Sequence, residues 1–180
     1  NGASDETLQA HRGSYKTTCV SVALACIVVL HPDKKILFVR KTDNDVKEVI
    51  AQVQKILLSK EMRLLSVIIW GCELAFTVEN ATELSTTLTN DIKGTSQLTG
   101  MGTKSSITGK HFGLIFTDDI VNKEDRISRA ERERTKLFYQ ELRNIINRGG
   151  RIYNTGTPWH KEDAFALMPS PQKYDRYSTG

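Results

Sequence analysis

Ala10-His11-Arg12-Gly13-Ser14-Tyr15-Lys16-Thr17-Thr18 runs directly into the apolar stretch Cys19 to Leu30, and this junction decides how the rest of the chain is read. A glycine-containing loop that delivers Lys-Thr to a helix start turns backbone N–H groups and the positive helix end toward an anion. The lysine adds a point charge, and the threonine hydroxyl is a ligand for Mg²⁺. The common phosphate-loop pattern is G-x-x-x-x-G-K-[ST]. Here Ala10 stands at the first glycine and Tyr15 at the second, with Gly13 displaced inside the loop. The same residues also fit a plain helix start, with Ser14 or Thr17 as N-cap.

A second element lies about a hundred residues on. Gly113-Leu114-Ile115-Phe116-Thr117-Asp118-Asp119 is an apolar run closed by two carboxylates. A carboxylate at a strand end can hold Mg²⁺, here Asp118 through water, and a neighbouring one, Asp119, can orient an attacking water as general base. The plainer alternative is a turn or helix cap. A third run, Arg151 to Thr155, leads into Gly156-Thr157-Pro158-Trp159-His160. Polar groups at such a strand tip can meet a terminal phosphate; the alternative is a proline turn with a packed tryptophan.

Around these elements the pattern alternates. Residues 17–30 read as a helix apolar nearly all round, hence buried, and stopped by His31-Pro32-Asp33. Ile36 to Val39 reads as a buried parallel strand. Thr42 to Leu58 reads as an amphipathic helix with Val46, Val49, Ile50, Val53, Ile56 and Leu57 inward, and Thr42 with Asp45 as a capping pair. Ser66 to Trp70, Leu74 to Val78 and Glu83 to Thr89 read as strands. Gly94 to Gly113, rich in Gly, Ser and Thr and carrying Lys104 and Lys110, reads as a mobile loop. Leu114 to Thr117 is a strand, Glu124 to Arg148 one long helix ended by Gly149-Gly150, and Arg151 to Thr155 a strand. Strands alternating with helices predict an α/β fold with a mainly parallel sheet.

Composition narrows the class. The 180 residues suffice for one domain with a real core, and the net charge of +4 is compatible with a polyanionic partner without demanding one. Three cysteines without CxxC spacing read as reduced core residues of a cytoplasmic protein, and the four scattered histidines argue against zinc. The run Cys19 to Leu30 is too short to span a bilayer and is not a signal peptide, so no membrane association is expected. Asn80-Ala81-Thr82 matches a glycosylation acceptor by chance. The opening Asn1 reads as the start of a fragment or processed chain.

The series Ala10-His11-Arg12-Gly13-x-x-Lys16-Thr17, then Leu114 to Asp119, then Gly149-Gly150-Arg151 followed by Thr155-Gly156-Thr157-Pro158-Trp159-His160, resembles the ATPase domain of tailed-bacteriophage terminase large subunits. These motors package viral DNA into proheads. The resemblance covers Ala10 to Ala166, and the last motif is its most specific part. It implies a P-loop NTPase of the ASCE type, a mainly parallel central sheet with helices on both faces. It implies one ATPase domain over residues 1–180, a lid region starting after about 158, and no C-terminal nuclease in this chain. ATP and Mg²⁺ are the expected cofactors. Arg12, Gly13, Ser14, Tyr15, Lys16, Thr17 and Thr18 would cradle the nucleotide, with Thr155, Gly156 and Thr157 as coupling motif. Thr17 and Asp118 would hold the metal. Lys16, Asp119 and Arg12 would be catalytic, Arg12 as a phosphate sensor in cis or between subunits. The family usually has Glu where this chain has Asp119, so a Glu of the following helix, Glu131 or Glu133, is the alternative base. The adenine-contacting segment is expected to be missing or cut short. Implied partners are double-stranded DNA, the portal or prohead and the small terminase subunit, in a homo-oligomeric ring whose isolated domain is monomeric, located in the host cytoplasm. Two other readings compete: a metal-dependent nuclease using Asp118 and Asp119 with Glu124, Asp125, Glu131 or Glu133, and a nucleic-acid-binding module whose nucleotide site is inactive because Tyr15 replaces glycine.

Overall fold

One strand feeds two separate cores. In the computed structural model, which describes residues 5–10, 13–90, 94–107, 109–170 and 172–174, Ile36–Arg40 forms β2. Successive side chains of a strand point to opposite faces. Ile36 and Phe38 enter one apolar cluster, Leu37 and Val39 another. All four are fully buried, which is why the run is apolar without alternation.

The other strands are Glu6–Ala10 (β1), Phe76–Glu79 (β3), Glu83–Thr86 (β4), Leu98–Gly102 (β5), Phe112–Asp118 (β6), Ile146–Gly156 (β7) and Gln172–Tyr174 (β8). Their order across the sheet is β3-β4-β5-β2-β6-β7-β1-β8. The β3–β4 and β4–β5 pairs are antiparallel and the rest parallel. β7 thus lies between β1, which precedes the segment leading to Lys16, and β6, which leads to the two aspartates. Helices Lys16–Leu30 (α1), Asp43–Leu57 (α2) and Lys60–Trp70 (α3) supply the first cluster. Arg129–Ile145 (α5), the short Lys123–Ile127 (α4) before it, and a 3-10 turn at Ala164–Leu167 lie with the second. Helices on both faces of a mainly parallel sheet are the expected architecture.

α2 forms as its sequence dictates. Thr42 Oγ1 accepts the Asp45 N–H at 3.2 Å and donates to the Asp45 carboxylate at 2.7 Å. Val46, Val49, Ile50, Val53 and Leu57 are buried, with Ile56 packed beside them.

Several expectations fail for identifiable reasons. Residues 66–70 belong to α3, not to a strand: Ser59 Oγ accepts the Met62 N–H, and Gly71 ends the helix in the left-handed conformation. The supposed loop after Gly94 contains β5, mostly buried and paired on both sides, with β4 and β2. A Cβ on Gly100 would lie 2.4 Å from Val46 Cγ1, so the glycine content reflects the close approach of α2. The long helix breaks at Ser128, which caps α5 by accepting the Glu131 N–H. It ends at Ile145, and Gly149-Gly150 lies within β7 at a register irregularity against β6. A Cβ on Gly150 would meet Gly113 O at 2.7 Å. Nor are the cysteines core residues: Cys19 and Cys72 are exposed and Cys26 is intermediate, all three free. α1 buries one side only, leaving Val22 and Leu30 exposed.

β1 has no apolar run to announce it. It is polar, and only Thr7 and Ala10 are buried. It is held by parallel pairing with β7 and by Asn154, whose Nδ2 donates to Glu6 O at 3.1 Å. The same buried Asn154 accepts from Thr117 Oγ1 on β6 at 2.9 Å and lies 3.2 Å from Tyr139 Oη on α5. Among the described residues, no helix is long and apolar enough to cross a membrane.

Candidate functional site

Tyr15 precedes α1 with φ 57°, in the left-handed region, and Gly13 has φ 81°. A left-handed turn favours glycine, which explains why glycine is usual before the lysine; Tyr15 adopts the same turn with its side chain exposed. Neither Ser14 nor Thr17 caps the helix. The N-cap is Tyr15, and no side chain bonds the first-turn N–H groups among the described residues, so those groups suit an acceptor from outside the protein. Ser14 Oγ is buried without a hydrogen-bond partner among the described residues. A loop with a buried, unsatisfied hydroxyl and open helix N–H groups fits a polyphosphate.

Lys16 folds back over this loop. Its Nζ donates to Ala10 O at 3.2 Å and to Thr157 Oγ1 at 3.4 Å, and stands 3.9 Å from Asp119 Oδ1. Thr17 Oγ1 donates to Asp118 Oδ2 at 2.9 Å. Thr155 Oγ1 donates to the other carboxylate oxygen, Oδ1, at 2.7 Å. Asp118 is fully buried, and these bonds stabilise its charge. The parallel register places Asp118 opposite Thr155. Residues separated by more than a hundred positions therefore meet at one sheet edge, at the C-terminal ends of β6 and β7. Open α/β sheets place their ligands at that edge.

Asp119 leaves β6 with φ 46°, and its N–H donates to Thr155 O at 3.0 Å. This turn aims its carboxylate into a cavity of about 210 Å³, lined among others by Lys16, Arg40, Thr157 and Trp159. Gly156, at φ 151°, lets the chain pass close to Asp119; a Cβ there would lie 2.9 Å from Phe165 Cζ and 3.1 Å from Asp119 Oδ1. Of the remaining expected residues, Thr18 faces solvent, and Arg12 lies outside the described residues.

Sequence reasoning passed over Arg40. It closes β2, its Nε lies 3.4 Å from Asp118 Oδ2, and its Nη2 lies 3.8 Å from Asp119 Oδ2. Its only signal was a cation terminating an otherwise apolar strand.

Of the alternative carboxylates, Glu124 is exposed and the other three are engaged elsewhere. Asp125 is buried and accepts from Lys41 and from Thr135, at 2.8 and 2.7 Å. Glu131 pairs with Lys41 and Arg134. Glu133 is exposed and takes a hydrogen bond from Lys136, which lowers its carboxyl pKa. Among the described residues no three His, Cys, Asp or Glu side chains converge as metal ligands.

No protein-family model matches the chain, and no curated protein matches its sequence. Solved structures do match. The large terminase ATPase domain of Thermus phage P74-26 superposes with a TM-score of 0.50 at 13% identity, over 88% of this chain and 61% of that one. The large terminase of a thermophilic bacteriophage superposes with a TM-score of 0.55 at 14% identity, over 86% of this chain and 34% of that one. The chain thus spans about three fifths of the first and one third of the second. With β7 set between β1 and the aspartate strand β6, the chain shares the mainly parallel α/β fold of these phage large-terminase ATPase structures.

Proposed function

We propose that this chain is the ATP-hydrolysing motor domain of a viral terminase large subunit, driving double-stranded DNA into a prohead. The observation that carries the reading is the meeting of Thr17, Asp118 and Thr155 beneath Lys16, because it joins all three motif elements in one site. ATP would lie across Gly13 to Thr17, its phosphates facing the α1 N–H groups and the Lys16 ammonium. Mg²⁺, held by Thr17 and Asp118, would supply charge neutralisation for phosphoryl transfer. Asp119, turned out of its strand into the cavity, aligns the attacking water. Lys16 already spans from Thr157 to Asp119, so a change at the terminal phosphate is felt at the β7 tip and in the segment after Pro158. Translocation of DNA, the portal and small-subunit partners, ring assembly and the host cytoplasm are part of the same proposal, and their support is the motif resemblance. No observation favours the nuclease reading: Asp125, Glu131 and Glu133 are engaged away from Asp118, and Glu124 is exposed on the short α4.

Nucleotide binding and ATP hydrolysis of Lys16→Ala test the assignment, with circular dichroism as the fold control. The expected result is loss of both with an unchanged spectrum. Wild-type turnover should be low and rise with protein concentration, as expected when neighbouring subunits complete each site. Full activity in Lys16→Ala, or metal-dependent plasmid cleavage without ATP hydrolysis, overturns the reading.

A further inference from the structure

We propose that Arg40 is a switching counter-ion: it neutralises the aspartate pair, yields Asp118 to a divalent cation, and then bears on the terminal phosphate. The inference rests on the phosphate-site reading above. Asp118 and Asp119 are consecutive carboxylates, one of them fully buried, and two like charges this close need cations. Lys16 reaches only Asp119 and stays 3.9 Å away. Arg40 alone among the described cations touches both, at 3.4 and 3.8 Å. Its hold is loose. Arg40 Nε is buried yet makes no hydrogen bond among the described residues, so the contact with Asp118 is one of charge without alignment. Both Asp118 oxygens already accept better-placed hydroxyls, from Thr17 and Thr155.

A guanidinium with an unsatisfied buried donor, facing acceptors claimed by others, is positioned to leave. The cavity gives it a destination: Arg40 lines the same space as Lys16, Asp119 and Thr157. A planar fork of donors suits a phosphate better than a single carboxylate oxygen. Metal and Arg40 therefore compete for Asp118, and the displaced Arg40 favours a triphosphate over a diphosphate.

Two binding measurements test this without turnover: the Mg²⁺ midpoint for binding a fluorescent ADP analogue, and the affinity ratio of a non-hydrolysable ATP analogue to ADP at saturating Mg²⁺. In Arg40→Gln the Mg²⁺ midpoint should fall roughly fivefold or more as the competitor is removed, and the triphosphate preference should shrink. Arg40→Lys keeps the charge and should hold the midpoint near that of wild type. An Arg40→Gln protein unchanged in both measures overturns the role of Arg40 alone, as does an Arg40→Lys midpoint shifted as far as that of Arg40→Gln. A wild type that binds neither nucleotide overturns this proposal together with the phosphate site.

Discussion

Thr155→Val removes one hydroxyl and keeps the branched shape of the side chain. The Thr155 hydroxyl has one proton and two acceptors within range, Asp118 Oδ1 at 2.7 Å and Thr117 O at 3.3 Å. The shorter, charged acceptor takes it. Asp118 is fully buried, so no water replaces the lost donor. A hydrogen bond to a charged group contributes about 1.5–3 kcal/mol. In a chain of this size each kcal/mol moves the melting temperature by about 2–4 °C, so the midpoint should drop by roughly 3–12 °C. Valine's slightly better fit to a strand offsets little of this. Thr155→Ser keeps the donor and loses one methyl, about 0.8 kcal/mol. Thermal and urea unfolding followed by circular dichroism, without nucleotide, should rank wild type above Ser above Val. A valine variant within about 0.5 kcal/mol of wild type, or a serine variant as damaged as valine, shows that Thr155 does not hold Asp118.

Gly100→Ala drives a Cβ to 2.4 Å from Val46 Cγ1, and such overpacking costs about 1–3 kcal/mol; urea unfolding should show the loss, and Val46→Ala in the same chain should recover part of it. Burial raises the Tyr139 phenol above its ordinary value, against the opposing hydrogen bond with Asn154. A raised folded-state pKa means that the neutral phenol's contribution is whole below the unfolded value near pH 10 and is lost as pH rises through the folded one. Wild-type urea midpoints should therefore fall more steeply above about pH 10 than those of Tyr139→Phe, and parallel slopes would contradict the assigned burial.

The parts of the fold legible in the sequence are those that bury apolar area with a regular period. α2 and β2 are of this kind, and so are the strand leading to Asp118 and the strand leading to Thr155. The failures share a cause: residues chosen for tertiary fit look locally like something else. Val67 to Trp70 is strand-like by composition, yet Ser59 and Gly71 cap it as a helix whose outer face stays exposed. Leu98 to Gly102 looks like a loop because Gly100 makes room for Val46. Gly149-Gly150 looks like a helix stop because the backbone of Gly113 comes so near. The candidate site was legible in Lys16, Thr17, Asp118, Asp119, Thr155 and Thr157, since phosphate chemistry restricts residue types strongly. Arg40 was hidden because a lone arginine carries no pattern. Its meaning arises only when parallel pairing sets the end of β2 beside the end of β6.

β1 also bears on the order in which the molecule comes into being. It leaves the ribosome well before its partner, because its seat against β7 is built from residues about 147 positions later. At roughly 5–20 residues per second the growing chain carries this strand unpaired for roughly 7–30 s. During that interval the strand is too polar to collapse early and has few apolar side chains to attract a wrong partner. Lys16, at the head of α1, meets Thr157 only when the end of β7 has emerged. A nascent chain therefore assembles its aspartate strand and covering helices first and completes the candidate site last.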